Sequence, residues 1–341
     1  MYSGFNLKLD ENATIFGDVN EYKRLQKMGE NHLNNQKAIF EEELESYIVD
    51  NEIDGTKIQD EWFPQIEADI FISHSGKDDK LANVLAGWIY DNFGLKCFID
   101  SNVWGYSKTL LEKMNSKLSN KRKDTGGGYL YDYHSCNQVS QHVNLMLSIA
   151  LQKMIDKVEA VVLLNTDNAV RVCSDKQMEK TYSPWIYSEI IYTQFVRKKP
   201  LLVYRNYSTD RKDYFGVYES VQFALQSVIS YTVSLEHFRL LGECDLIKWK
   251  NAYSQNKYNY EYALDALYNF VCPDEVKNTR DLFDNLQESE IYTLQHIYSS
   301  QNINGQKLEN MQRVWERIIR KGLKGCQGCD RFDDYSMSRH E

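Results

Sequence analysis

Short apolar runs separated by longer stretches of helical spacing are the main pattern of this chain. Runs of four to six residues dominated by Val, Ile, Leu and Phe are typical of strands buried on both faces of a parallel sheet. Such runs lie at 68–73, 95–100, 160–165, 201–204 and 229–233. Because helical segments alternate with them, the pattern predicts an α/β fold with a doubly wound, mainly parallel five-stranded sheet.

Capping residues mark where the helices between these runs begin and end. Ser75 precedes a helical stripe that stops at Gly94, and the two residues suit the N-cap and the C-cap. Ser183 and Pro184 suit the cap and the first position of a later helix, because the missing N–H of proline costs nothing there. A further amphipathic segment, 143–157, leads into the next apolar run. The strand–helix–strand unit therefore recurs.

The same pattern divides the chain into three regions. We expect a helical N-terminal extension at 1–67, the α/β domain at 68–240 and a helical C-terminal region at 241–341. Apolar residues at helical spacing, with polar residues opposite, support both extensions. Within the α/β domain, 119–140 contains three consecutive glycines and several tyrosines, which predicts an inserted loop.

Composition and charge narrow the class of protein. The 341 residues include 40 Lys and Arg against 49 Asp and Glu, a net charge of −9, which argues against binding nucleic acid by bulk phosphate neutralisation. No apolar run approaches the roughly 20 residues of a membrane span, and the first residues do not form a signal peptide. Seven scattered cysteines give no disulfide pattern. We therefore expect a cytoplasmic protein without membrane or nucleic-acid partners.

Three motifs fall on these predicted elements. The first strand and its loop are DIFISHSGKD at 69–78, the second strand is CFID at 97–100 with Trp104 and Gly105 following it, and a helix starts SPWIYSE at 183–189. In order and spacing they resemble the Toll/interleukin-1 receptor (TIR) domain, with its W-x-x-x-E helix. The resemblance covers 68–240. The insertion at 119–140 departs from the family, because it splits what is normally one helix.

The resemblance implies an NAD-consuming enzyme in which Glu189 is the catalytic residue and cleaves the nicotinamide–ribose bond. NAD is then the substrate, and no cofactor is expected. Trp185 and Glu189 are four residues apart, so they share one face of the helix. Cys326 and Cys329 have the spacing of metal ligands, but a structural zinc needs four ligands, so no metal site is predicted.

A single carboxylate is sufficient for this chemistry. Glycosidases usually need two, because the leaving oxygen requires a proton while the oxocarbenium-like centre requires an anion. The nicotinamide of NAD is already cationic and departs neutral, so the acid is unnecessary. One carboxylate near the ribose can stabilise the developing positive charge.

Further residues are expected to border the nucleotide. These are Phe71, Ser73, His74, Ser75, Asp100, Trp104, Tyr106 and Trp185. Several have a plainer alternative: Ser75 as a helix cap, His74 as an exposed histidine, and Trp185 as core filling. An exposed Trp104 would indicate an interface with a neighbouring TIR domain, and a buried one would indicate packing.

Two functions from different classes follow. The first is a stand-alone bacterial-type TIR enzyme that makes an ADP-ribose-derived signal, cyclic or conjugated, for a separate effector protein in antiphage defence, as in Thoeris-type systems. Self-association through TIR domains is expected with it. The alternative is a non-enzymatic TIR adaptor that works by self-association alone. A third, remote option is an enzyme related to nucleoside deoxyribosyltransferases.

Overall fold

The computed structural model describes residues 1–33, 44–49, 52–101, 107–124, 128–173, 178–199, 201–204, 229–255 and 262–273. The strands are β1 Ser3–Leu7, β2 Ile48–Val49, β3 Glu52–Ile53, β4 Ile70–Ser73, β5 Cys97–Phe98, β6 Arg122–Lys123, β7 Tyr129–Leu130, β8 Ala160–Leu164, β9 Arg171–Cys173, β10 Met178–Thr181, β11 Tyr231–Val233 and β12 Arg239–Leu241. The helices are α1 Val19–Asn31, α2 Gly55–Trp62, α3 Asp79–Phe93, α4 Ser107–Leu118, α5 Tyr133–Lys157, α6 Pro184–Phe195, α7 Glu243–Gln255 and α8 Ala263–Val271.

A five-stranded parallel sheet forms the centre of the fold, in the order β12-β1-β8-β4-β5. Phe71 of β4 pairs with Val161 of β8 and points into a core cluster that includes residues of α2, α4, α5 and α6. Ile70 and Ile72 are also buried and point to the opposite face, because successive strand residues alternate. Both faces are therefore covered, and the predicted doubly wound α/β class is confirmed.

Three of the predicted strands are confirmed, and so are the capping residues predicted at the helix ends. The runs at 68–73, 95–100 and 160–165 contain β4, β5 and β8. The Lys77 N–H donates to the Ser75 side chain at 3.4 Å, and the Ile186 N–H donates to that of Ser183 at 3.2 Å. Gly94 ends α3 at φ 71°, in the left-handed region that glycine adopts without steric cost.

The other two predicted strands of the central sheet are wrong. Residues 201–204 form a turn of 3-10 helix, and β11 at 231–233 belongs to a separate antiparallel sheet with β10 and β9. Their places in the central sheet belong to β1 and β12. The expectation of helix at 1–67 is thus wrong for residues 3–7, which form a fully buried strand between β12 and β8.

The predicted insertion is shorter than expected. A two-stranded hairpin, β6 and β7, follows α4, and α5 already begins at Tyr133. Residues 133–140 are therefore helical instead of part of a loop. The Asp132 side chain caps α5 by accepting a hydrogen bond from the Ser135 N–H at 2.8 Å. This cap explains why the helix starts ten residues before its apolar stripe becomes regular.

Most of the described residues belong to one compact unit, made of Met1–Lys198 and Asp210–Asn259. The second unit comprises Lys199–Thr209 and Tyr260–Glu341, of which the structure describes the 3-10 turn and α8. α8 lies in the C-terminal region that was predicted to be helical, and its Leu264, Leu267 and Tyr268 are buried. The rest of that region from residue 274 onward, with Cys326 and Cys329, lies outside the described residues. In the part of the chain described, no helix combines the length and apolarity needed to cross a bilayer.

Two glycines let α1 and α3 approach until their backbones touch. A methyl group added at Gly87 would lie 1.9 Å from the carbonyl oxygen of Leu25, and one added at Gly29 would lie 1.8 Å from that of Asn83. Because both obstacles are backbone atoms, no side-chain movement can relieve the clash.

We therefore expect Gly87→Ala to lower the free energy of unfolding by at least about 3 kcal/mol. Urea unfolding followed by circular dichroism measures this. The matched control is Gly242→Ala, where the added methyl group meets nothing within 4 Å and the change should stay within about 1 kcal/mol. Equal stabilities of the two variants would contradict the close helix contact.

Candidate functional site

The carboxyl ends of β4 and β8 define the position of the candidate site. The chain passes from β4 to β5 on one side, whereas β8 lies against the other side of β4. Neighbouring parallel strands whose connections run in opposite directions leave a crevice beyond their carboxyl ends, and ligands of doubly wound proteins bind there. Ser73 is the last residue of β4, and α6 is the next α-helix after β8.

Glu189 is held at this point by one short hydrogen bond. Its Oε2 accepts from the Ser73 hydroxyl at 2.5 Å, and both residues are buried, with Glu189 only 5% exposed. The buried face of α6 also carries Ile186, Ile190 and Thr193. This i, i+4, i+7 stripe turns Glu189 toward the protein interior. The helix that packs the core thus places a carboxyl group at the end of β4.

His74, the residue after Ser73, lies between two further carboxylates. Its Nε2 is 2.8 Å from Oδ1 of Asp79, and that same oxygen accepts from the Ser101 hydroxyl at 2.6 Å. Its Nδ1 is 3.9 Å from Oδ1 of Asp100. The imidazole side chain is 2% exposed, and among the described residues Nδ1 has no hydrogen-bond partner. We refer to Asp79, Asp100 and Glu189 as the carboxylate cluster.

Burial and like charges dominate the ionisation of this cluster. Burial, with the nearby charge of Asp100, raises the pKa of Glu189 to about 8, against the opposing effects of the Ser73 hydrogen bond and His74. Burial also raises the pKa of Asp100, and the charge of His74 is the main opposing effect. Burial by itself would lower the pKa of His74, but the hydrogen bond to Asp79 and the charges of Asp100 and Glu189 raise it overall.

A second polar contact ties together the two loops that border the crevice. Asp78 is buried in the turn between β4 and α3. Its carboxylate accepts from the Thr166 hydroxyl at 2.5 Å and from the Asn168 amide at 2.7 Å. Thr166 and Asn168 belong to the loop after β8. Neither this bridge nor the role of Asp79 as the partner of His74 was predicted from the sequence. Both aspartates resemble ordinary acidic residues in the first turn of a helix, so no signal in the sequence singled them out.

The structure brings together four of the nine residues predicted to form the site. Ser73, His74, Asp100 and Glu189 meet at the carboxyl end of β4. Ser75 lies in the same loop, where it caps the following turn. Trp104 and Tyr106 lie outside the described residues.

Two aromatic residues are part of the packing. Phe71 was predicted to border the nucleotide, but it is 0% exposed and its ring packs on that of Phe98 at 5.1 Å between centroids. The side chain therefore belongs to the core cluster. Trp185 is half-buried and packs at the margin of the core cluster.

No match to this chain is found among protein-family models, curated proteins or solved structures. Among the described residues, no group of three or more His, Cys, Asp and Glu side chains is arranged to hold a metal ion.

The raised pKa of Glu189 predicts a specific dependence of stability on pH. Between the unfolded value of 4.5 and the folded value of about 8, the folded protein holds a proton that the unfolded chain has lost. The stability that this proton contributes is complete below pH 4.5 and is lost as pH rises, by roughly 1.4 kcal/mol per pH unit within the window.

Glu189→Gln removes this titration and keeps an oxygen that can accept from Ser73. We expect the stability of the variant relative to wild type to increase steadily from about pH 5 to about pH 8. Urea unfolding of both proteins at each pH measures the difference, in which contributions of other groups cancel. Parallel stability curves would contradict a raised pKa at this residue.

Proposed function

We propose that this protein is an enzyme that cleaves the nicotinamide–ribose bond of NAD, with Glu189 as its catalytic carboxylate. The observation that carries the proposal is the buried Glu189 carboxyl group, bonded to Ser73 where the strands of a doubly wound sheet end. The three motifs that resemble a TIR domain support the same reaction, since Glu189 occupies the glutamate of W-x-x-x-E.

The carboxyl groups of the cluster differ in exposure, from two that reach the surface to one that is buried. The side chains of Asp79 and Asp100 are 32% and 36% exposed, whereas Glu189 lies inside. A positively charged nicotinamide ring is attracted by the outer carboxylates and then approaches the inner one. Its charge also favours the anionic form of Glu189, because an opposite charge nearby lowers the pKa of a carboxyl group.

The reaction itself needs no proton donor. The bond between C1′ of the ribose and the ring nitrogen breaks, and both electrons stay with the nitrogen, which becomes neutral. The positive charge that develops at C1′ is stabilised by the Glu189 carboxylate in a site of low dielectric. A water molecule, or a nucleophilic group of the same molecule, then bonds to C1′ and releases a proton. These two outcomes give ADP-ribose or a cyclic product.

The biological setting belongs to the same proposal. The resemblance to bacterial TIR enzymes supports an ADP-ribose-derived signal that acts on a separate effector in antiphage defence, made in the cytoplasm by self-associated TIR domains. The absence of a bilayer-spanning helix among the described residues is compatible with that location. A non-enzymatic adaptor is the alternative, and it is an outcome of the experiment below.

Incubation of the purified chain with NAD at high protein concentration should release nicotinamide, measured by chromatography with mass spectrometry of all products. We expect Glu189→Gln to lower the rate at least about a hundredfold. Glu236→Gln, at an exposed position away from the cluster, should retain the wild-type rate. Absence of nicotinamide release at every protein concentration would favour the adaptor. Cleavage of nucleosides with NAD untouched would favour the deoxyribosyltransferase-like option.

The raised pKa of Glu189 also predicts how the rate depends on pH. Because the anion is the active form, kcat/KM should rise about tenfold per pH unit below pH 8 and level off above it. The rate of Glu189→Gln at each pH provides the background. A profile that is level or that falls between about pH 6 and pH 8 would contradict an anionic Glu189 as the catalytic form.

A further inference from the structure

His74 has a fixed orientation that leaves one of its nitrogens facing the site. Asp79 holds Nε2 at 2.8 Å, and the Ser101 hydroxyl holds Asp79 in turn at 2.6 Å. The ring therefore cannot rotate without breaking a charge-assisted hydrogen bond. Nδ1 is left without a hydrogen-bond partner among the described residues, 3.9 Å from Asp100. A buried imidazole in this position between two carboxylates is suited to carry a positive charge.

Charged groups from three elements act on this imidazole. They are Asp79 of α3, Asp100 in the segment after β5, and Glu189 of α6. His74 directly follows Ser73, whose hydroxyl donates to Glu189 at 2.5 Å. The charged groups that act on Glu189 are Asp100, which disfavours its anion, and His74, which favours it. Among the described residues, His74 is thus the cationic group that balances the carboxylate cluster at Glu189.

We propose that His74 is a positioning residue for the reaction: its positive charge, held in place by Asp79, increases the fraction of Glu189 that is anionic when the substrate arrives. Asp100 opposes it from the other side of the ring. The consequence for catalysis rests on the proposed function, but the effect on the ionisation of Glu189 does not. His74 touches no reacting atom in this account and acts through Glu189.

The two neighbours of the ring should act with opposite signs. His74→Gln keeps a donor for Asp79 but removes the positive charge, so the ionisation of Glu189 should move to higher pH. Asp100→Asn keeps the shape but removes a negative charge, so the ionisation should move to lower pH. For charges several ångströms apart in a protein interior, shifts on the order of one pH unit are expected. A merely structural role of His74 would lower activity equally at every pH.

The test follows the Glu189 carboxyl group directly by infrared difference spectroscopy. The carbonyl band of protonated Glu189 is identified by its loss in Glu189→Gln and titrated in wild type, His74→Gln and Asp100→Asn. The pH profile of kcat/KM for NAD is measured on the same proteins. We expect both midpoints to move upward in His74→Gln and downward in Asp100→Asn. At neutral pH, a shift of one unit corresponds to about a tenfold change in rate.

The two readouts separate failure of this inference from failure of the proposed function. An infrared midpoint that moves as expected in a protein without NAD cleavage would support the charge balance and overturn the proposed reaction. An unmoved midpoint, or one that moves in the same direction in both variants, would overturn the role of His74 whatever the activity. If His74→Gln does not fold, Asp79→Asn replaces it. Loss of the Asp79 charge lowers the pKa of His74, so the imidazole carries its positive charge less often. The midpoint of Glu189 should therefore also move upward.

Discussion

The hydrogen bond between Ser73 and Glu189 is the constraint around which this site is built. Burial of a carboxyl group in a low-dielectric interior costs several kcal/mol unless it is paired or protonated. Among the described residues, the Ser73 hydroxyl is the one hydrogen-bond partner of Glu189, and the like charge of Asp100 adds to the cost. An apolar residue at position 189 would continue the buried stripe of α6 without this free-energy cost. A carboxyl group retained at such a position is the kind of perturbed, costly group that concentrates at functional sites.

The topology explains why this carboxyl group and the imidazole can meet. β4 and β8 are neighbours in the central sheet, and the chain leaves β4 toward β5, on the side away from β8. In doubly wound proteins this arrangement marks the place where ligands bind, beyond the carboxyl ends of the strands. The bridge from Asp78 to Thr166 and Asn168 fixes the separation of those loops. Because Asp78 and Asp79 are adjacent, the same turn that closes the bridge also directs Asp79 toward His74. One short segment therefore sets both the separation of the two loops and the orientation of the imidazole.

Elements whose own residues are strongly apolar can be predicted from the sequence. Elements whose burial depends on the strands beside them are missed. β4, β5 and β8 are dense apolar runs with recognisable caps, and they were predicted correctly. β1, with the sequence SGFNL, alternates polar and apolar residues, and only its position between two parallel strands buries it completely. The run at 201–204 is as apolar as β4, yet it forms a 3-10 turn, since local composition does not fix a strand without a neighbour. Likewise, Glu189, Ser73 and His74 could be proposed from motifs, whereas Asp79 as the second partner of the imidazole required the fold.

Charge distribution constrains how a dinucleotide would enter a site of this kind. The described cluster has three carboxyl groups against one imidazole, in a chain whose formal net charge is −9. A pyrophosphate placed against Asp79 and Asp100 would meet two carboxylates, and like charges at a few ångströms cost several kcal/mol at the effective dielectric of a protein surface. A cationic ring in the same place gains a comparable amount. Under the proposed function, the nucleotide must therefore approach with its nicotinamide toward Glu189 and its phosphates directed away from the carboxylate cluster. The electrostatic gradient that binds the ring thus also orients the bond to be cleaved.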